Sequence, residues 1–541
     1  MQETKAQNFI KGAAILAATS IFVKIIGAVY KIPLFNILGN AGRGYFQTTY
    51  SVYQMVLNIA TAGVPVALSR MVSSAAAKGN TRLVRRYFSV SLPAFTLIGI
   101  AAMLIMLFFA DPFARAMNSS LSAPGIRVLA PAVFFVCIIS VYRGYAQGFE
   151  NMVPTAVSQA LEVICKAVFG IAIVLWLARA GFEVQIMSAG GILGVTIGLG
   201  LCVPLLIWYK RKIDKGISYA GEMTGQPGGL SVFLQLMKVS IPITLGASFM
   251  TIITVVDNSV VLGRLQNALL LSEYEASSLF GVYATGLTLY NLPSALIVPV
   301  AISVVPAIAA ALASNREGEA GSIMQASVKL VNLFAMPACA GLMVLAAPIM
   351  IALFEESSRT AVNILILLGA ASFFVCLQLV TTAILQANGY ERLPVLTIPI
   401  GGVVKIALGY ILVGNPNISI VGSAIGSLAC FIIICALNII LIKIKVRECP
   451  KFGGVFIKPL LCTAVMAVAA YYAYELVSRL GAGILGELGK GRFAVAVFLA
   501  AAIAVAVIVY VASIILTRTV TMEDMKLVPK GEKLAKILRI R

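Results

Sequence analysis

The chain has 541 residues, 60% of them hydrophobic and 11% charged, with a mean hydropathy of +0.98; this lies well outside the range of soluble globular domains. Composition therefore predicts an all-α polytopic membrane protein, with room for a dozen or more spans of ~20 apolar residues and none for a separate catalytic domain. The formal charge of +20 does not argue for nucleic acid, because excess Lys and Arg in a membrane protein mark cytoplasmic loops. There is no histidine, which removes the commonest general base and metal ligand. The nine cysteines lie in or beside apolar runs without CxxC spacing and read as reduced packing residues.

In chain order, Lys5 and Lys11 precede an apolar stretch that continues past Val29. Its length and the lack of a small-residue cleavage site predict a first transmembrane helix rather than a signal peptide. Apolar runs between polar turns predict fourteen spans, near 10–31, 44–68, 88–110, 126–149, 153–178, 188–209, 236–262, 278–312, 326–354, 361–387, 394–413, 419–442, 459–478 and 493–516. An even count puts both ends on one side. Loops on that side carry Arg70, Lys78, Arg82, Arg85 and Arg86, then Lys210, Arg211, Lys212 and Lys215, then Lys443, Lys445, Arg447, Lys451 and Lys458. Opposite loops hold mostly single cations, Arg43 and Arg115 among them. By the positive-inside rule both termini are cytoplasmic.

The stretch from Phe134 to Val174 occurs twice. Phe134-Phe135-Val136-Cys137 returns as Phe373-Phe374-Val375-Cys376, Gln147 as Gln386, Lys166 as Lys405 and Gly170 as Gly409, all at one offset of 239 residues. The duplication divides the chain into an N-lobe of six spans at 1–209, a cytoplasmic linker at 210–235, a C-lobe of six spans at 236–442 and two appended helices at 443–516. A basic tail follows at 517–541, suited to a helix on anionic lipids or to a frayed end. Six is even, so the lobes share one orientation, and a substrate route is expected between them.

Intramembrane charges are few: Lys24, Arg143, Glu162, Lys166, Asp257, Lys405 and Glu475. A lysine at the bilayer centre costs at least ~2.5–3.5 kcal/mol by insertion scales, so the recurrence of one at equivalent places points to an anionic substrate. Lys166 has a structural alternative, a pair with Glu162 four residues earlier; Lys405 has no acid at that spacing. Lys31 shares a face with Lys24 and is close enough to the outer end to snorkel. Arg143 either offers a planar guanidinium to phosphate oxygens or anchors the cytoplasmic end. Asp257 binds Na⁺ or a proton, or neutralises a neighbouring cation. Gly63-Val64-Pro65 and Pro293, Pro299 and Pro306 interrupt long helices and are expected to bend during alternating access. Gly190, Gly191, Gly194, Gly198 and Gly200 read as close helix packing. No nucleotide loop, zinc spacing or nucleophile set supports an enzyme, and no outer loop is long enough for a glycan polymerase.

Gly63-Val64-Pro65-Val66-Ala67-Leu68-Ser69-Arg70, Asp257 with Arg264, and Lys405 running through Tyr410-Ile411-Leu412-Val413-Gly414-Asn415-Pro416 into Gly422-Ser423-Ala424-Ile425-Gly426 resemble one family across essentially the whole chain. It is the stage V sporulation protein B branch of polysaccharide transporters, related to the lipid II flippase MurJ in the multidrug/oligosaccharidyl-lipid/polysaccharide superfamily. The resemblance implies two lobes around a cationic cavity, with helices 13 and 14 forming a groove for a lipid tail. It further implies movement of an undecaprenyl-pyrophosphate-linked glycan to the outer leaflet of the bacterial plasma membrane, and no enzymatic activity. Lys24 is the best match to a cavity arginine of span 1, whereas Leu57 and Asn58 stand where an arginine pair of span 2 is expected. Lys24, Arg143, Lys166 and Lys405 are then substrate-binding candidates, with Glu162 and Asp257 as counter-ions or coupling sites. No cofactor or metal is expected, with Na⁺ or H⁺ coupling left open. The expected partners are the lipid-linked oligosaccharide, anionic lipids and cell-wall synthesis machinery, with the protein a monomer and no nucleic acid bound. The alternative is a Na⁺- or H⁺-coupled multidrug exporter on the same fold, which would want unpaired internal acids where this core has cations in excess.

Overall fold

A computed structural model describes residues 18–217, 227–447, 452–485 and 491–519. Most of the tail at 517–541, the middle of the predicted linker, and Lys5 and Lys11 lie outside the described residues. Apart from a 3₁₀ turn at Ser120–Ser122, the regular elements described are α-helices. They are α1 (Ala18–Val29), α2 (Lys31–Thr61), α3 (Val64–Ala77), α4 (Thr81–Phe108), α5 (Ala110–Ala116), α6 (Ala123–Gly148), α7 (Val153–Arg179), α8 (Val184–Lys215) and α9 (Gly229–Asn267); then α10 (Glu273–Ala313), α11 (Glu317–Val344), α12 (Ala346–Phe354), α13 (Arg359–Ala387), α14 (Arg392–Val413), α15 (Val421–Lys445), α16 (Phe452–Leu485) and α17 (Arg492–Leu516). Among these residues, fourteen stretches are long and apolar enough to cross a membrane. The single helix α9 supplies two of them, Gly229–Gly246 and Ser248–Asn267, and α1 covers the second half of the first predicted span.

The chain separates into two compact units, residues 1–284 with 414–416 and residues 285–413 with 417–541. In the first, the connection predicted between spans 1 and 2 shrinks to a single residue, Gly39, whose φ of 64° bends the helix without an intervening loop. A non-glycine residue reaches that left-handed region only at a cost. Arg43, expected in an outer loop, is consequently inside α2 and only 4% exposed. Its Nε donates to Phe35 O (2.8 Å) and its Nη1 to Asn40 Oδ1 (2.7 Å), so the guanidinium ties the two sides of the bend together.

α2 and α9 are joined along their length in this unit. Asn258 donates to Ser51 Oγ (2.8 Å), Asn58 to Thr251 Oγ1 (3.2 Å), and the Gly63 backbone N–H to Thr244 Oγ1 (3.0 Å). The last bond falls at the break between α2 and α3, just before Pro65, and beside Pro242 of α9. The break thus faces the one proline inside α9, where proline removes a backbone donor from the helical ladder.

In the second unit the core is built from Ile297 and Ile308 of α10, Val328 and Val331 of α11, Leu377 and Ile384 of α13, and Ile442 of α15. The two appended helices dock here through side-chain donors to backbone carbonyls. Asn332 of α11 donates to Val455 O of α16 (3.1 Å), and Tyr510 of α17 to Leu333 O (2.7 Å). Arg492 at the start of α17 donates to Ala352 O (2.8 Å) and Leu353 O (2.9 Å) and pairs with Glu355, at the C-terminal end of α12. A guanidinium there satisfies orphan carbonyls and the negative end of the helix dipole. Arg492→Ala is expected to cost ~1–2 kcal/mol, read as a lower thermal midpoint of the purified protein; an unchanged midpoint would mean that the cap contributes nothing.

Candidate functional site

The duplicated lysines are placed by one repeated helix crossing. In the first unit a Cβ added to Gly194 of α8 would meet Gly170 N at 2.6 Å and Lys166 O at 2.9 Å, both backbone atoms of α7. In the second unit a Cβ added to Gly426 of α15 would meet Lys405 O at 3.0 Å and Gly409 N at 3.7 Å on α14. Small residues let the two backbones approach, and in a membrane such contact is a main source of helix association. A glycine of the neighbouring helix set against the lysine and the glycine four residues after it therefore holds each lysine at a fixed height. The tighter crossing should respond more strongly to a methyl group. Gly194→Ala is expected to lower stability by ~1–3 kcal/mol and Gly426→Ala by less, measured as thermal midpoints; the reverse order would refute this reading of the crossing.

Around Lys166 the chain assembles a charged and aromatic cluster. The Lys166 ammonium lies 5.0 Å from the centre of the Tyr30 ring and 4.9 Å from that of Tyr50. The Lys31 ammonium lies 5.6 Å from the centre of Phe35 and 5.8 Å from that of the same Tyr50. Lys31 therefore turns into the bundle instead of snorkelling. A ring face offers a cation ~0.5–2 kcal/mol, more as water is excluded. Tyr50 is itself held by α2 neighbours: it stacks on Phe46 with centroids 6.1 Å apart, and the Tyr53 ring lies 5.8 Å away.

Glu162, the residue that might have paired with Lys166, pairs instead with Arg143. Arg143 Nη2 lies 3.3 Å from Glu162 Oε2, and its Nε donates to Ser158 Oγ (2.9 Å). A carboxylate and a hydroxyl thus orient the guanidinium of α6 toward α7, one turn below Lys166. Arg143, Glu162 and Lys166 come together as candidates, and the structure adds Tyr30, Lys31 and Tyr50. Only the seven-residue spacing of Lys24 and Lys31 signalled Lys31 in the sequence. Lys24 lies at an exposed position of α1, and Asp257 is wholly buried on α9 beside Asn258.

The second copy carries a neutral version of the same arrangement. The offset of 239 takes Arg143 to Thr382, Ser158 to Thr397 and Glu162 to Gly401. There Thr397 donates to Asn438 Oδ1 (2.9 Å), and Asn438 Nδ2 reaches Thr381 and Thr382 Oγ1, each at 3.2 Å. No side chain fits at Gly401, where a Cβ would lie 2.9 Å from Cys430 O and closer still to Ile434. The duplication thus kept the lysine and replaced the ion pair by amide and hydroxyl groups. Among the described residues no group of three His, Cys, Asp or Glu side chains could hold a metal ion.

The sequence profile of the family described as polysaccharide biosynthesis protein matches residues 9–312, more than half of the chain. The chain belongs to that family. It is 28% identical over 537 residues to the uncharacterized membrane protein YabM of Bacillus subtilis strain 168, covering 98% of this chain and 97% of the relative. Stage V sporulation protein B of the same organism is 25% identical over 492 residues, covering 88% and 92%. Its lipid II flippase MurJ is 25% identical over 539 residues, covering 93% and 95%. Among solved structures, an inward-facing multidrug resistance MATE family transporter of the MOP superfamily superposes with a TM-score of 0.66 at 16% identity, covering 80% of this chain and 98% of the other. The inward closed conformation of lipid II flippase MurJ gives 0.62 at 17% identity, covering 94% and 98%. The fold is shared with both structures, and the chain is a multi-pass membrane protein.

Proposed function

We propose that this protein is a transporter, a flippase that moves an undecaprenyl-pyrophosphate-linked glycan, lipid II or a related wall or polysaccharide precursor, from the inner to the outer leaflet by alternating access. The observation that carries the proposal is the single Tyr50 ring shared by two ammonium groups, Lys31 and Lys166. Two like charges in a low-dielectric setting repel, and ring faces offset that only in part. A diphosphate would satisfy both at once, since its charge is spread over several oxygens that accept hydrogen bonds from separate donors. Arg143, already oriented by Ser158 and Glu162, would extend the site; Lys24 and Lys405 are the further substrate contacts in this reading, and Glu162 and Asp257 its counter-ions or coupling sites. The relation to a relative named for lipid II flipping supports the same substrate class. On this reading residues 1–209 and 236–442 act as the two six-helix lobes and both termini are cytoplasmic.

The test is reconstitution of the full chain in vesicles with fluorescent lipid II in one arm and a cationic dye under a Na⁺ or H⁺ gradient in the other. Lipid II flipping without gradient-driven dye export is the expected result. Dye export with no lipid movement, in vesicles shown to be competent, would overturn the proposal in favour of the multidrug exporter.

A further inference from the structure

Away from the Lys166 cluster, the second unit holds an open pocket of about 230 Å³ where the ends of α10, α13 and α15 meet. It is lined by Glu317, Met324, Asn388, Tyr390, Lys445 and Arg447, together with Leu312 and Val446. This is smaller than a pocket for a drug-sized ligand and suits a single headgroup. Its construction is rigid on one side: Tyr390 Oη donates to Lys445 O (3.1 Å), and Asn388 Nδ2 approaches Met324 Sδ (3.6 Å) while donating to Ile384 O.

The charge on the other side is only lightly committed. Arg447 is 86% exposed and is reached by one oxygen of Glu317, through Nη1 at 3.3 Å. The Lys445 ammonium has no partner among the described residues; its backbone carbonyl alone is engaged. Two cations with spare donors therefore line a pocket that also has Leu312, Met324 and Val446 in its wall, at the level where helices end and lipid headgroups begin. A guanidinium and an ammonium side by side are the donor set for phosphate oxygens, and a phosphate dianion or diester offers Arg447 a stronger acceptor geometry than one distant carboxylate oxygen.

We propose that this pocket binds the phosphate group of an anionic phospholipid in the surrounding leaflet, with Arg447 and Lys445 as its ligands and Glu317 as the internal group it displaces. The apolar part of the wall, Leu312, Met324 and Val446, takes the glycerol and first methylenes, which favours the lipid over a soluble phosphate ester of the same headgroup chemistry. The site is independent of the Lys166 cluster, and its loss leaves that reading untouched.

The test uses the full chain in nanodiscs of phosphatidylcholine doped with phosphatidylglycerol, with retained lipid counted by native mass spectrometry. Arg447→Gln and Lys445→Gln are each expected to weaken retention about fivefold, and Glu317→Gln to strengthen it. Lys443→Gln and Glu319→Gln make the same charge changes on the same helix ends without lining the pocket, and should leave retention within twofold. Equal loss with Lys443→Gln and Arg447→Gln would overturn the proposal, since it would mean a diffuse basic face. Addition of glycerol 3-phosphate distinguishes the source. No displacement of the retained lipid supports the lipid site, whereas stoichiometric displacement at low concentration would overturn the lipid assignment and leave a soluble phosphate ester as ligand.

Discussion

Lys166→Gln lowers the initial rate of lipid II flipping by about 10- to 100-fold, the factor that loss of one charged hydrogen bond of ~1.5–3 kcal/mol produces. Glutamine is one atom shorter than lysine and uncharged, so the Tyr30 and Tyr50 rings that flank the ammonium lose a cation and a small part of their packing. Stability should move the other way or not at all. Removing a half-buried charge removes its desolvation cost, and the partner left behind is an aromatic face rather than an opposite charge. Glu162 keeps Arg143 as its partner, so no carboxylate is stranded. This divergence separates a substrate contact from a structural one: transport falls while the thermal midpoint holds. Lys166→Arg, which restores a cation, should recover part of the rate. Full transport by Lys166→Gln would remove the residue from the site; a collapse of both transport and midpoint would make it structural.

The largest effect on folding is expected from Gly281→Ala. A Cβ at Gly281 would stand 1.8 Å from Asn40 O, and one at Gly44 2.0 Å from Ser277 O. These atoms are main-chain carbonyl oxygens of facing helices, α2 and the start of α10, both within the first unit. A carbon and a carbonyl oxygen settle at roughly 3.3–3.6 Å, so the helices would have to part by about 1.5 Å, and no rotamer can relieve a backbone contact. The cost is expected at ~3 kcal/mol or more, the upper end of overpacking penalties. Yield of monodisperse protein and the thermal midpoint are the measurements. Gly318→Ala serves as the reference, since a Cβ there meets nothing within 4 Å. A Gly281→Ala protein as stable as the Gly318→Ala protein would show that the crossing is looser than its geometry.

The resemblance and the hydropathy pattern converged on one architecture because membrane helices are specified by a one-dimensional property. Each must bury its own backbone donors and acceptors in a ~30 Å apolar slab, so length and local hydropathy suffice to find them. The duplication was equally visible, since a constant offset of 239 residues needs no knowledge of contacts. The depth of Lys166 and Lys405 along their spans, and hence their cost, also followed from position alone.

Partners did not follow in this way. Glu162 sits one helical turn before Lys166, and spacing alone allowed the two to pair. The rotation of α6 against α7 instead carries Arg143 to the carboxylate and leaves Lys166 to two tyrosines. Lys31 looked free to reach the membrane surface until the bend at Gly39 brought it together with Tyr50. Arg43 read as a loop cation because nothing local predicts that a single glycine replaces the loop. The replacement of Arg143 and Glu162 by Thr382 and Gly401 could be seen by alignment of the two copies, but not that Asn438, from a helix whose register breaks the offset, would complete a neutral network there. The chain by itself determined that it spans a membrane, that it does so as two related halves, and where in each half a lysine is buried. The tertiary structure decided what those lysines touch, because contacts between helices depend on crossing angle and rotation, and these are set by which small residues, such as Gly194 and Gly426, let two backbones meet.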